Sequence, residues 1–279
     1  MTSLGPGLAG LAGIAGTAGP APDPAWGTVA ALMVAALVAG WVDAVVGGGG
    51  LVQLPALLVG LPTATPAQVL ATNKLAGIFG TATSSITYAR RVRADRSTVV
   101  PMAACALVGA AGGAAVSFLV PARVFRPVVL VLLLVVAVYT LRRPTLGAET
   151  ALRFSGSRHR LVVCLAGAVL GFYDGVLGPG TGSFLVFALV GLVGYAFLEA
   201  SATAKVVNLA TNLGALLVYV PTGAPLWRIG LLMGTANVLG GYVGARTAVA
   251  RGSAFVRVVF LVVVGALVLR LGWDVLAGR

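Results

Sequence analysis

Long apolar segments separated by short polar connections make up most of the chain. In the first half they cover residues 28–46, 67–89, 99–120 and 128–141, with a shorter apolar piece at 51–61. The longer segments approach or exceed the roughly 20 residues that a helix needs to cross a bilayer. They lack the alternation of apolar and polar residues that marks the strands of a membrane barrel. The pattern therefore predicts an all-α, polytopic membrane protein.

Glycines interrupt the first apolar segment. Asp43 is followed four residues later by glycine at all four positions 47–50. Because glycine disfavours a helix interior by about 1 kcal/mol per residue relative to alanine, the helix is predicted to end there. Asp174 is likewise followed by the sequence Gly178-Pro179-Gly180-Thr181-Gly182. The sequence predicts a broken or re-entrant half-helix after each break, over residues 47–61 and 178–198.

The second half of the chain repeats the first at an offset of 131 residues. Asp43 corresponds to Asp174 and Lys74 to Lys205. The same offset pairs Tyr88 with Tyr219, Met102 with Met233, Gly109 with Gly240, Gly113 with Gly244 and Arg126 with Arg257. Apolar segments recur in the same order at 161–177, 183–198, 202–220, 229–250 and 256–271. One offset for all these matches indicates a duplication, and the fold expected is two repeated four-helix units.

The repeats divide the chain into four parts. Residues 1–26 are rich in Gly, Ala and Pro and carry no basic residue, so we expect a disordered or interfacial tail and no cleaved signal peptide. Transmembrane repeats are predicted at 27–141 and 161–279. Between them, residues 142–160 form a hydrophilic, basic linker, in which we interpret His159 as a solvated loop residue.

The arginines of the loops indicate how the repeats are oriented. The loops at 90–96 and 142–160 hold four and five arginines, and two spans separate them, so they share a side that the positive-inside rule makes cytoplasmic. If each broken segment doubles back, the repeats are inverted and the basic loop at 246–257 is cytoplasmic too. If each broken segment is one crossing, the repeats are parallel and that loop lies outside. Loop charge favours inverted repeats.

Composition agrees with a lipid environment and changes how the net charge is interpreted. The 279 residues are 59% hydrophobic and 9% charged, whereas soluble domains carry about 25% charged residues. The net charge of +12 comes from arginines in short loops, which indicates membrane orientation and no nucleic-acid partner. Cys105 and Cys164 lie in apolar segments without a CxxC spacing, so we interpret them as small buried hydrophobic residues.

Two lysines carry the candidate chemistry. Lys74 and Lys205 are the only lysines of the chain, and both lie inside apolar segments. A charge within the bilayer costs at least about 2.5–3.5 kcal/mol, so a function for them is favoured. One interpretation is structural: the lysines pair with Asp43 and Asp174 or extend to the interface. The other is an anion site, in which the aspartates either balance the lysines or carry protons.

The anion site would combine the lysines with the glycine breaks. Broken helices expose backbone N–H groups and a positive dipole end, and such helices meet at the centre of many transporters. The candidate substrate-binding residues are Lys74, Lys205, Gly47, Gly48, Gly49, Gly50, Gly178, Gly180, Thr181, Gly182, Thr72, Asn73, Thr203, Asn208 and Asn212. The breaks lack the Gly-Lys-Ser/Thr of a phosphate-binding loop, and no His/Cys/Glu cluster has metal spacing. We therefore predict no cofactor, no metal and no enzymatic activity.

These motifs resemble those of a known family. Each half contains an aspartate, three residues, a Gly-x-Gly break, an apolar half-helix and then Ala-Thr-x-Lys, at Ala71-Thr72-Asn73-Lys74 and Ala202-Thr203-Ala204-Lys205. This order is similar to that of the sulfite exporter TauE/SafE family, over residues 28–276. The resemblance implies a multi-pass permease of the bacterial inner membrane that moves sulfite, sulfonates such as sulfoacetate, or related anions by secondary transport. Because the two breaks differ in sequence, we expect an asymmetric site.

The sequence thus predicts an eight-helix bundle with two additional half-helices, which exports a small organic or sulfur-containing anion. Its expected partners are that anion and the lipid bilayer, with a second copy of the chain as a candidate. The alternatives are a passive anion channel, a membrane scaffold without transport, and cation transport through the aspartates.

Overall fold

The computed structural model describes residues 24–118, 147 and 149–276, which form helices joined by short connections. The helices are α1 (Trp26–Val46), α2 (Gly49–Gly60), α3 (Pro66–Ala89), α4 (Arg96–Ser117), α5 (Gly156–Val176), α6 (Thr181–Phe187), α7 (Phe197–Tyr219) and α8 (Trp227–Leu276), and α6 continues into a π-helical stretch, Ala188–Val193. The all-α prediction is confirmed for this part of the chain. The predicted tail, apart from its last residues, and the predicted span 128–141 lie outside the described residues.

Among the described residues, four helices are long and apolar enough to cross a membrane: Trp26–Val46, Arg96–Ser117, Gly156–Val176 and Trp227–Ala266. The helices α3 and α7 have 24 and 23 residues, so they also have the length of a span, but they carry the polar residues of the candidate site. The protein is therefore a multi-pass α-helical membrane protein.

The first glycine break makes the chain double back. Gly47 ends α1 in the left-handed conformation, with φ 85°, which glycine adopts without steric cost. The following α2 returns along α1, because a Cβ atom at Gly60 would lie 3.1 Å from Leu32 and 3.3 Å from Thr28, near the start of α1. The chain after the second break also returns, since Ala151, which precedes α5, donates from its N–H to the Gly194 carbonyl at 2.8 Å.

Each long helix packs against a helix from the other half of the sequence. The helix α1 contacts α8, α5 contacts α4, and α3 and α7 contact each other. The α4–α5 contact is close, because a side chain at Gly109 or Gly113 would overlap the backbone of α5 at Ala168 or Phe172. These glycines form the small-xxx-small pattern that lets membrane helices approach.

The predicted spans 229–250 and 256–271 form two helical arms of α8, which are separated by a sharp turn at the non-helical Gly252 (φ 73°, ψ −173°). Both arms contact the region around the end of α1. A Cβ at Gly244 would lie 2.9 Å from Ala44, and one at Gly48 would lie 3.2 Å from Val263. The second arm therefore folds back beside the first instead of extending it.

One expectation about the linker is wrong. We interpreted His159 as a solvated loop residue, but α5 already begins at Gly156 and His159 is buried. Its Nε2 lies 2.7 Å from Thr98 Oγ1, which lies 2.8 Å from the Tyr195 hydroxyl, and that hydroxyl donates to Asp95 Oδ2 at 3.2 Å. The helix extends beyond the apolar segment because these polar partners from other elements cover its first turn.

Candidate functional site

The two lysines lie on the central helices α3 and α7. Lys74 and Lys205 are 2% and 0% exposed, so neither extends to the membrane interface. A buried ammonium group is retained when a negative partner and hydrogen bonds compensate its lost hydration. The partners come from the ends of α1 and α5.

Each lysine pairs with the aspartate of the opposite half. Lys74 Nζ lies 2.5 Å from Asp174 Oδ2, and Lys205 Nζ lies 3.1 Å from Asp43 Oδ2. The two pairs are therefore crossed, since the first half supplies one lysine and one aspartate and the second half supplies the other two. With two positive and two negative charges, this region is neutral overall.

Lys205 has a second contact that Lys74 lacks. Its Nζ also donates to the backbone carbonyl of Asp43, and the same carbonyl accepts from the N–H of Gly47 at 2.8 Å. Lys205 thus binds both the side chain and the backbone at the point where α1 ends. This arrangement fixes the first glycine break to α7.

The two glycine breaks touch each other. The N–H of Ser183 donates to the Gly47 carbonyl at 3.0 Å, and Ser183 Oγ donates to the Val46 carbonyl at 3.1 Å. The backbones of Gly47 and Gly182 are so close that a side chain at either would overlap the other residue. The close approach explains the need for glycine at both positions.

A small polar cavity of about 40 Å³ lies beside these breaks. The predicted site residues that line it are Asp43, Gly47, Gly49, Gly50, Asn73, Lys74, Asp174, Gly178, Gly180, Thr181, Gly182, Asn208 and Asn212. One water molecule takes up about 30 Å³ in the liquid, so the cavity in this conformation has room for a very small polar species.

Four predicted residues do not line this cavity: Lys205, Gly48, Thr72 and Thr203. Lys205 contacts the backbone carbonyl and the carboxylate of Asp43 instead. Thr72 is fully buried and its Oγ1 accepts from the N–H of Leu226 at 3.0 Å, so it fixes the loop before α8. Thr203 is 1% exposed, and Gly48 lies at the start of α2.

Sequence reasoning missed two amides of the cavity. Asn237 Nδ2 donates to Gln53 Oε1 at 2.6 Å, and Gln53 Nε2 donates to the Asn73 carbonyl at 3.2 Å. At the offset of 131 residues these positions correspond to Phe184 and Ala106, so a search for repeated polar residues passes over them. Gln53 could have been identified from the sequence, because it is the single amide in the otherwise apolar half-helix 51–61. Ala39, Gly77 and Thr81 also line the cavity.

Thr81 and Asn212 meet where the central helices face each other. Asn212 Nδ2 donates to Thr81 Oγ1 at 3.4 Å, and these two positions are themselves 131 residues apart. A side-chain contact between equivalent positions is expected where a two-fold axis relates two units.

The arrangement offers an anion one cationic group and several uncharged donors. The Lys74 ammonium, the amides of Asn73, Asn208 and Asn212, and the backbone at the start of α2 converge on the cavity. The dipole of α2 adds partial positive charge at its first residues. The carboxylates of Asp43 and Asp174 also reach the cavity, so a bound anion would meet both signs of charge.

The chain is similar to known membrane proteins over most of its length. A family model described as "Sulfite exporter TauE/SafE" matches residues 32–271. The chain is 39% identical to "Probable membrane transporter protein ORF9" from Sinorhizobium sp. over 89% of this chain and 94% of that protein. It is 34% identical to "Probable membrane transporter protein YfcA" from Escherichia coli strain K12, over 87% of this chain and 89% of that protein. No solved structure matches the chain significantly.

Proposed function

Because the chain belongs to the sulfite exporter TauE/SafE family of membrane transporters, we propose that it is a secondary transporter of small anions. The substrates we propose are sulfite, sulfoacetate or another organosulfonate, moved outward across a bacterial inner membrane. The observation that carries the proposal is the cavity at which Lys74, four asparagines and both glycine breaks converge. Hydrogen-bond donors around one buried cation form a site for an oxyanion.

The proposed binding cation is Lys74. It lines the cavity, and its Nζ would lie 3.5 Å from a Cβ atom at Gly178, so it is adjacent to the second break. Lys205 does not line the cavity and holds the Asp43 backbone instead. The sequence predicts that both lysines bind the anion at an asymmetric site, and we propose that only Lys74 does so.

The charge balance of the site suggests a role for protons. The two crossed ion pairs sum to zero, so an added anion would leave uncompensated negative charge in a low-dielectric region, which is costly. A proton on Asp174 would remove that charge and free the Lys74 ammonium for the anion. We therefore propose that anion binding and protonation of Asp174 favour each other, which couples transport to a proton gradient.

Alternating access would arise from inverted repeats that move against each other. Several contacts support this topology. The chain returns after both breaks, and the N–H of Leu198, at the start of α7, donates to the hydroxyl oxygen of Ser253, beyond the turn of α8. Tyr195 contacts Asp95 in the loop after α3. The basic connections around 90–96, 149–156 and 251–253 thus share one end, which we propose faces the cytoplasm.

Two alternatives predict different behaviour. A passive channel needs a continuous pore, whereas the breaks are in backbone contact at Gly47 and Gly182 and the cavity is small. A scaffold without transport would use the ion pairs for stability alone. A purely structural role for the ion pairs does not explain why five buried asparagine and glutamine side chains surround Lys74.

The test is efflux of sulfite and sulfoacetate from proteoliposomes, with and without a proton gradient. We expect saturable efflux for the wild type that responds to the gradient. Lys74→Met should lower the rate of efflux about tenfold to a hundredfold, which corresponds to the loss of one hydrogen bond to a charged group. The key variant is Lys74→Met combined with Asp174→Asn, which removes both charges of one pair and so tests pairing separately from binding.

If the double variant regains wild-type efflux, Lys74 serves pairing and the proposed binding role is wrong. If efflux does not saturate and shows no counterflow, the channel replaces the transporter. If the wild type moves neither anion in a well-folded preparation, the proposed substrate class is wrong. Circular dichroism and thermal unfolding of each variant separate loss of transport from loss of fold.

A further inference from the structure

A second cavity, of about 530 Å³, lies on the surface where the end of α3 meets α8. It is lined by Thr87, Arg90, Arg91, Tyr242, Arg246, Val249 and Ala250. Three of these residues carry guanidinium groups, and the lining contains no carboxylate. This surface plays no part in the transport mechanism proposed above.

One arginine of this cavity is held in place by a tyrosine, and the charges of all three lack a carboxylate partner in the described part of the chain. Arg246 donates from Nη1 to the Tyr242 hydroxyl at 2.9 Å, and its guanidinium carbon lies 5.5 Å from the centre of the Tyr242 ring. Within the described part of the chain, Arg90, Arg91 and Arg246 form no ion pair with a carboxylate. A cluster of guanidinium groups without a carboxylate partner favours phosphate, which accepts paired hydrogen bonds from arginine.

Exposed apolar side chains adjoin the cluster on the same two helices. Ile86, four residues before Arg90, is 56% exposed, and Val243, three residues before Arg246, is 53% exposed. Residues three or four apart lie on one face of a helix. The surface therefore offers a charged end and, one turn deeper towards the membrane, an apolar end, which fits an amphiphile better than a free inorganic anion.

We propose that this cavity binds the phosphate headgroup of an anionic phospholipid, with the acyl chains along Ile86 and Val243. Basic pockets between membrane helices bind such headgroups on the cytoplasmic side. At the offset of 131 residues, the three arginines correspond to Pro221, Thr222 and Ala115, so the sequence repeat does not reproduce the site at the other end. The inference does not depend on which anion is transported.

The test is native mass spectrometry of the detergent-solubilised protein, titrated with phosphatidylglycerol or with phosphatidylcholine of the same acyl chains. The triple variant Arg90→Gln, Arg91→Gln and Arg246→Gln removes the cluster. The matched control removes three exposed arginines at the same end that do not line the cavity: Arg93→Gln, Arg153→Gln and Arg160→Gln. Glycerol phosphate, which has the headgroup chemistry without the chains, is added as a competitor.

We expect the wild type and the control to bind phosphatidylglycerol in preference to phosphatidylcholine. The cluster variant should bind it about a hundredfold more weakly, at about fivefold for each arginine. Arg246→Lys alone, which keeps the charge and loses the planar fork, should weaken binding less than Arg246→Gln. Because all three side chains are exposed, we expect unchanged thermal unfolding in every variant without lipid.

Equal weakening in the cluster variant and the control would show a general effect of charge and overturn the proposal. Efficient displacement by glycerol phosphate at concentrations comparable to the lipid would identify a site for free phosphate esters and overturn the lipid assignment. Equal affinity for the two lipids would overturn it as well. If the cluster variant has altered thermal unfolding, lipid binding is measured for Arg246→Gln alone and compared with that of Arg93→Gln.

Discussion

At the scale of single residues, equivalent positions in the two halves have acquired different surroundings. Lys74 reaches a polar cavity beside the second glycine break, whereas Lys205 holds the side chain and the carbonyl of Asp43 and is fully buried. The sequence predicted both lysines and both aspartates as one set, because charges inside a membrane segment are rare. It could not separate their roles, since the difference lies in which backbone atoms each ammonium group meets.

Removal of Lys205 should therefore cost more stability than removal of Lys74. Breaking a buried ion pair at one partner costs about 3–5 kcal/mol, and Lys205→Met also loses the contact to the Asp43 carbonyl. We expect a lower unfolding temperature for Lys205→Met than for Lys74→Met. Thermal unfolding in detergent measures this difference, and Lys205→Met combined with Asp43→Asn should recover part of the loss. A lower unfolding temperature for Lys74→Met would contradict the assignment.

The contact between the breaks gives a second prediction at this scale. Gly47 has φ 85° and touches the backbone of Gly182, whereas Gly223 has φ 71° with open space around it. A left-handed alanine costs about 1–2 kcal/mol at either position. Gly223→Ala should show that cost alone, and Gly47→Ala should lose folded protein, measured as yield of the monodisperse peak in size-exclusion chromatography. Similar yields for both variants would argue against the close contact.

At the scale of elements, the glycine and proline positions predicted the ends of α1, α2 and α5, because backbone conformation is decided locally there. The start of α5 was harder to predict. Its first turn is polar, and it forms because Thr98 of α4 contacts His159 and Tyr195 contacts Thr98. Contacts between residues about 60 and 100 positions apart leave no periodic signal in the sequence. The same limit applies to the chain of amides through Gln53 and Asn237.

The start of α4 gives a prediction with a defined pH dependence. Partial burial acts to raise the pKa of Asp95, but hydrogen bonds from Ser97, Tyr195 and Thr98 outweigh it and lower that pKa below 3.8. The carboxylate also caps α4, accepting from the N–H of Ser97 at 2.9 Å. Loss of a cap costs about 1 kcal/mol, so we expect Asp95→Ala to lower the unfolding temperature at neutral pH.

The sign of the pH effect follows from the lowered pKa. A carboxylate whose pKa is lower in the folded state stabilises the protein above the unfolded pKa, and the stabilisation is lost as the pH falls through the folded pKa. The difference between wild type and Asp95→Ala should thus be constant from pH 8 to about 5 and shrink below about 4. Unfolding curves across this range measure it. If the stability difference between wild type and Asp95→Ala grows at low pH, a group other than Asp95 dominates the pH dependence.

At the scale of the whole molecule, the arginine distribution predicted which connections share a side, since orientation in the membrane depends on loop charge. Tyr195 contacts Asp95 and Leu198 contacts Ser253, and the inverted arrangement that we propose from these contacts stays a prediction. Packing of α1 on α8 and of α5 on α4 was not predictable, because apolar helices of similar composition carry little information about their partners.

Cysteine labelling from one side of the membrane tests this topology. With Cys105 and Cys164 replaced by alanine, we expect Arg93→Cys and Arg251→Cys to react from the cytoplasmic side and Thr222→Cys to react from the opposite side. All are placed in connections or turns, where labelling reports the aqueous side. Parallel repeats would place position 222 on the side of position 93 and position 251 on the opposite side, so that outcome would exclude the inverted arrangement. Whole cells and inside-out vesicles provide the two sides.

The crossed ion pairs have a consequence for biosynthesis. The ribosome completes the first half before Asp174 and Lys205 have been made, so Asp43 and Lys74 enter the membrane without their final partners. A charge in that position costs several kcal/mol. The newly made first half is therefore unstable in the membrane until the second half is inserted beside it. The helices α5 and α7, which carry Asp174 and Lys205, thus complete the insertion of the first half, and the chain gains stability after they are made.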